Sequence, residues 1–144
     1  MSNVLIDKAN TFRWPVRVYY EDTDSGGVVY YANYLKFMER ARTEWLRSLG
    51  LEQDELIARE SVIFAVCSIQ VDYLQPARFN DALTVSAEVV EWGRASLSFE
   101  QNIHRRKDET LLCRGRIKLA CIDCNSFKPR ALPTALRLDF NDGG

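Results

Sequence analysis

The hydrophobic period of this chain changes once, and that change limits what it can fold into. Between Asn33 and Gly50 the apolar residues Tyr34, Met38, Ala41, Trp45 and Leu49 recur at helical spacing, and Leu35 and Leu46 widen the stripe. Lys36, Glu39, Arg40, Arg42, Glu44 and Arg47 fill the other faces, and Gly50 is a natural stop. From Ser61 onward the period is two. The stretches 61–76, 81–93, 95–106 and 110–123 read as four long strands separated by turn residues. In the third, Leu97, Phe99, Gln101 and Ile103 alternate with polar neighbours. In the fourth, Arg114, Arg116 and Lys118 alternate with Gly115, Ile117, Leu119 and Cys121. Such alternation belongs to an antiparallel sheet with one face covered and one wet. An earlier strand is expected at Phe12–Tyr20 and a short helical piece at Leu51–Arg59. The outline is strand, long helix, four-stranded meander: a two-layer α+β domain in which the one long helix forms the core. Val62–Val66 is apolar on both faces, which suggests that a second subunit covers one of them.

A chain of 144 residues suits a single domain, 1–144. Its formal net charge of −1 gives no electrostatic support for binding nucleic acid. No apolar run approaches a membrane span, and the N-terminus lacks a basic region followed by an apolar one, so a cytoplasmic location is expected. Cys67, Cys113, Cys121 and Cys124 read as free, mostly buried thiols. The Cys121–Cys124 pair lacks the second pair that a zinc site needs, and it ends a strand rather than opening a helix.

The chemistry-bearing segment is YEDTDSGGVVYYAN, Tyr20 to Asn33, where Glu21, Asp22 and Asp24 crowd together ahead of two glycines and the helix start. A solvated turn can look like this, and three functional loops can too. An EF-hand beginning at Asp22 would put Gly26 and Asn33 where ligands are required. A phospho-aspartyl loop normally sits on a parallel sheet, against the antiparallel pattern here. An acyl-transfer site uses every part: the helix start exposes N–H donors and a positive dipole end. Glycines let a carbonyl approach them, and a carboxylate attacks it or activates water. The only histidine, His104, lies on the polar face of a strand, and no serine-hydrolase elbow or phosphate loop is present.

The run from Phe12 to Gly50, with VDYLQPARFND, GRASLSF and KPRALP further on, resembles the hotdog-fold acyl-CoA thioesterases of the 4-hydroxybenzoyl-CoA thioesterase class. Within that class it is most similar to the bacterial thioesterases associated with the Tol–Pal envelope system. The resemblance implies a long central helix wrapped by a curved antiparallel sheet. It also implies an acyl-CoA substrate, and a homodimer that often pairs again into a homotetramer. It makes Asp24 the catalytic carboxylate and the Tyr31 backbone N–H the group that polarises the thioester carbonyl, with Gly27 shaping the approach. Relatives in the Tol–Pal group usually carry histidine at the Tyr31 position. Tyrosine there follows the 4-hydroxybenzoyl pattern instead.

Around these, Tyr30, Tyr31 and Asn33 are candidates to line the acyl pocket, with Asp22 capping the loop or meeting an arginine, and Glu39 paired with Arg40, Arg42 or the neighbourhood of Thr43. Coenzyme A carries phosphates, so Arg94, Arg116, Lys118, Lys128 and Arg130 are candidate contacts. No cofactor and no metal are expected, because coenzyme A is part of the substrate. Two alternatives stand beside hydrolysis. One is a binding module for acyl carrier protein or an envelope partner, and the other is a dehydratase, whose sites generally need a histidine absent from this loop.

Overall fold

A computed structural model describes residues 11–136. Its elements are β1 (Phe12–Arg17), a single 3-10 turn (Tyr20–Asp22), α1 (Asn33–Ser48), α2 (Gln53–Glu60), β2 (Val62–Tyr73), β3 (Ala82–Trp92), β4 (Ser96–Arg105) and β5 (Leu111–Asp123). All five strands form one antiparallel sheet in the order β1-β3-β4-β5-β2.

That order corrects the meander. Strands β3, β4 and β5 do follow one another, but β2 pairs along its length with β5 and never with β3. Here residues 74–81 instead cross to the opposite side of the sheet, passing the start of α1 on the way. The crossover is pinned at both ends: the Leu74 and Gln75 N–H groups donate to the Leu112 carbonyl, and Val29 N–H donates to the Ala77 carbonyl. The two edges also differ in chemistry. β1 tolerates Pro15 because it has only one neighbour, β3. β2 exposes Val66, Ile69 and Tyr73 along its outer side, so within one chain it is not covered on both faces.

Helix α1 buries Tyr34, Phe37, Met38, Ala41 and Leu46 against the concave side of the sheet. Phe37 and Met38 are fully buried, each contributing about 1.5–3 kcal/mol of apolar transfer energy. The contact is close at Gly115, where a Cβ would lie 2.9 Å from both the Sδ and Cε atoms of Met38. Arg114, Arg116 and Lys118 consequently point to the opposite, wet face. Register shifts in β2, β3 and β4 interrupt the ladders, and such irregularities bend and twist strands. Cys113 and Cys121 are buried free thiols, Cys124 is partly covered, and Cys67, at the β2 irregularity, is exposed.

Candidate active site

The acidic loop is built almost entirely on Asp22. Its Oδ2 accepts from the Tyr19 N–H at 2.8 Å, and its carbonyl accepts from the Tyr30 N–H at 3.0 Å and the Asn33 Nδ2 at 2.8 Å. Asp22 is thus the loop cap that its position suggested, and Asn33, nearly buried, is a structural strut at the first residue of α1. Thr23 and Val29 pair as a bridge, closing a tight turn over Asp24–Val28. Gly27 sits in that turn at φ +81°, a conformation that glycine adopts without strain.

Asp24 is exposed at the tip of the turn. The Gly26 N–H donates to its Oδ1 at 2.8 Å, while Oδ2 has no donor among the described residues. One oxygen is therefore held and the other is open. Seven residues on, Tyr31 immediately precedes the helix cap. Its carbonyl accepts from the Tyr73 hydroxyl at 3.1 Å, and its ring lies 4.8 Å from that of Tyr30 and 6.2 Å from that of Tyr73. The residue is fixed, yet its N–H has no acceptor among the described residues. The cap position of α1 is Ala32, which offers no side-chain oxygen, and the first turn carries no acidic residue. The positive end of the helix dipole is thus left for something else to satisfy.

Tyr34 anchors the floor beneath. Its hydroxyl accepts from the Ala77 N–H at 3.0 Å, and burial raises its pKa against the opposing effect of that bond. Burial also raises Tyr73, and a hydrogen bond with Tyr31 raises Tyr30, so these three phenols stay protonated near neutral pH. Tyr31, Tyr34 and Tyr73 line a shallow depression with Val29 and Pro76. Tyr73 had no signal in the sequence: it lies 42 residues from Tyr31 and reaches it only through the crossover.

The candidate phosphate contacts lie on other elements, and no contact joins them to the loop among the described residues. Arg116, on the wet face of β5, lies 3.7 Å from Glu91 and 3.8 Å from Glu100. Lys118 is exposed on the same face, and Arg94 is exposed in the β3–β4 turn. Arg130 pairs with Asp123 at 3.2 Å, and exposed Lys128 lies in the segment that folds back on β5. Glu39 makes no ion pair with Arg40 or Arg42. It accepts instead from the Thr43 hydroxyl at 2.7 Å.

Comparison with known proteins places this arrangement. A model of the thioesterase-like superfamily matches residues 18–140. The acyl-CoA thioesterase YbgC of Haemophilus influenzae is 44% identical over 132 residues, covering 92% of this chain and 96% of that protein. The acyl-CoA thioester hydrolase YbgC of Escherichia coli is 47% identical over 129 residues, covering 90% and 95%. Among solved structures, the 1,4-dihydroxy-2-naphthoyl-CoA thioesterase of Synechocystis superposes with a TM-score of 0.85 at 26% identity, covering 92% of this chain and 96% of that one. A probable thioesterase from Bartonella henselae gives 0.81 at 33% identity, covering 85% and 99%. The chain belongs to the thioesterase-like superfamily, as a hotdog-fold thioesterase.

Proposed function

We propose that the protein hydrolyses acyl-CoA thioesters to the free acid and coenzyme A, with Asp24 as the reactive carboxylate. The observation that carries this reading is the pairing of a fixed but unused Tyr31 N–H with a carboxylate whose second oxygen is open. A thioester oxygen at the Tyr31 N–H would meet a preorganised donor and the uncapped end of α1. One such donor lowers the barrier by about 3–4 kcal/mol as negative charge develops on that oxygen. The Gly26 N–H holds Oδ1, so the attacking or proton-accepting atom is Oδ2.

Two routes follow, and both balance. In one, Oδ2 attacks the carbonyl and the C–S bond breaks, coenzyme A leaving as the thiolate; water then hydrolyses the anhydride, and the proton released goes to the thiolate. In the other, Oδ2 takes a proton from water as that water attacks, and passes it to the departing thiolate. Coenzyme A enters only as part of the substrate. The relatives named as thioester hydrolases favour catalysis over a purely binding role for acyl carrier protein. The Val66 and Ile69 side chains on the outer edge strand β2 support a homo-oligomer in which a second copy covers that edge, dimers pairing again into tetramers. No helix among the described residues is long and apolar enough to cross a membrane, which supports a cytoplasmic setting.

The test is thiol release across short, long and aromatic acyl-CoAs, followed by a single turnover in 18O water. Hydrolysis of at least one series is expected, and the absence of turnover on every thioester overturns the reading. Label in Asp24 selects the anhydride route with water attacking the aspartyl carbonyl; where Asp24 stays unlabelled, rapid-quench mass spectrometry separates the two routes, an acylated Asp24 peptide marking the anhydride and its absence the water route.

A further inference from the structure

Residues 77–81 of the crossover hold the acidic loop on both sides of Asp24. Upstream, the Asn80 N–H donates to the Val18 carbonyl at 2.9 Å, and the Val18 N–H donates to the Asp81 carbonyl at 3.0 Å. The Phe79 ring stacks face to face on that of Tyr20, with centroids 3.8 Å apart and planes within 7°. Downstream, Val28 pairs with Arg78 as a bridge, and the Ala77 carbonyl accepts from the Val29 N–H at 2.8 Å. The Val28 carbonyl accepts from the Asp24 N–H at 2.9 Å. Ala77 also reaches α1, through the bond from its N–H to the Tyr34 hydroxyl. The Asp24 carboxylate and the start of the helix thus share one external support.

That support is a turn closed by a side chain. The Asp81 N–H donates to the Arg78 carbonyl at 3.1 Å, and Asp81 Oδ2 accepts from the Arg78 N–H at 2.9 Å. Inside it Asn80 takes φ +70°, a conformation that asparagine tolerates better than most residues. The Asp81 side chain is only 17% exposed, and it does not line the depression at Tyr31. The Arg105 guanidinium lies 3.8 Å from the same Oδ2, while its Nε is engaged by Asp108 at 3.2 Å. An ion pair that long, with a shared cation, contributes little. The bond from Arg78 is therefore what shapes the turn.

We infer that Asp81 is a positioning residue for the hydrolysis: by closing the 78–81 turn it holds both limbs of the acidic loop, and with them the Asp24 carboxylate, against the start of α1. It acts through the Arg78 N–H and the Val28 bridge rather than by touching the substrate. The assignment rests on the thioesterase reading for its reaction, and its experiment therefore has one arm that needs no turnover.

Two conservative variants separate the hydrogen bond from the charge. Asp81→Asn keeps an acceptor for the Arg78 N–H at the same reach and removes the charge facing Arg105. Asp81→Glu keeps the charge and moves the acceptor by one methylene. In the first arm, kcat and KM are measured on a thioester that the wild type hydrolyses, with circular dichroism confirming the fold. Asp81→Glu is expected to lose about tenfold or more in kcat, because a displaced reacting group costs rate. Asp81→Asn should keep kcat within about threefold, and KM should stay within about twofold in both, since Asp81 lines no part of the depression. Wild-type kcat in folded Asp81→Glu, a loss in Asp81→Asn of tenfold or more, or a change confined to KM overturns the assignment while leaving hydrolysis intact. In the second arm, NMR follows hydrogen exchange of the Asp24 and Val29 amides, whose bonds to Val28 and Ala77 tie the loop to its support. Exchange should speed several-fold in Asp81→Glu and match the wild type in Asp81→Asn. Unchanged exchange in Asp81→Glu, or equal acceleration in both variants, overturns the assignment. Faster exchange in Asp81→Glu without turnover of any thioester by the wild type instead overturns the thioesterase reading, and the role in hydrolysis with it.

Discussion

The two ends of α1 treat polar groups in opposite ways. At the N-terminal end the helix has no side-chain cap, Tyr31 N–H is unused, and Asp24 is exposed with one free oxygen. Two turns on, the polar groups are buried and tied in series, from the carbonyls of Met38 and Ser86 through Gln101 to Arg42. The open end is suited to meeting charge that develops during a reaction. The closed network is suited to tying α1 to strands β3 and β4. Damage to the first should therefore cost rate, and damage to the second should cost stability.

The largest stability effect is expected at the closed network. Gln101→Leu removes the partner of a part-buried guanidinium and of two carbonyls, and urea unfolding should show a loss of about 2–4 kcal/mol. A loss under 1 kcal/mol would dissolve the contrast between the two ends. Gly27→Ala in the open loop should cost about 1–2 kcal/mol, from its φ of +81° alone, since no atom lies within 4 Å of the new methyl. Gly27→Asn, which tolerates that conformation better, should recover part of this in the same assay. Tyr73→Phe deletes one exposed hydrogen bond to the Tyr31 carbonyl and should cost about 0.5–1.5 kcal/mol. Its sharper readout is the rate, because a looser Tyr31 misplaces the donor. The smallest perturbation is alkylation at pH 8. Iodoacetamide should label exposed Cys67, while Cys113, buried and with its pKa pushed up to about 12, reacts only after denaturation, as peptide mass spectrometry would show.

Much of this was readable in the residues, and the limits were physical. The helix ends within two residues of the expected Gly50, because a strong apolar stripe and a stop residue are local signals. The strands likewise fall where period two begins and ends. The place of β2 in the sheet was not legible, because pairing with β5 rather than β3 is a choice between partners distant in sequence that no local pattern encodes. In the site, the acidic loop and the helix start stood out by residue type, and the family resemblance singled out Asp24 among the loop's three carboxylates. Tyr73 did not, since a tyrosine ending a strand looks like any other until the crossover brings it to Tyr31. Gln101 occupied the apolar phase of β4 in plain view, but its partner Arg42 lies 59 residues away.

The account's central claim is that the exposed Asp24, rather than the loop's scaffold, carries the reaction. The direct test is thiol release by Asp24→Asn on an acyl-CoA that the wild type hydrolyses, with circular dichroism confirming an unchanged fold. The substitution keeps the side chain's size and its acceptor for the Gly26 N–H. The account predicts a fall in kcat of about 10²–10⁴-fold, the range lost with a positioned acid–base group. A folded Asp24→Asn protein that retains wild-type kcat would contradict it.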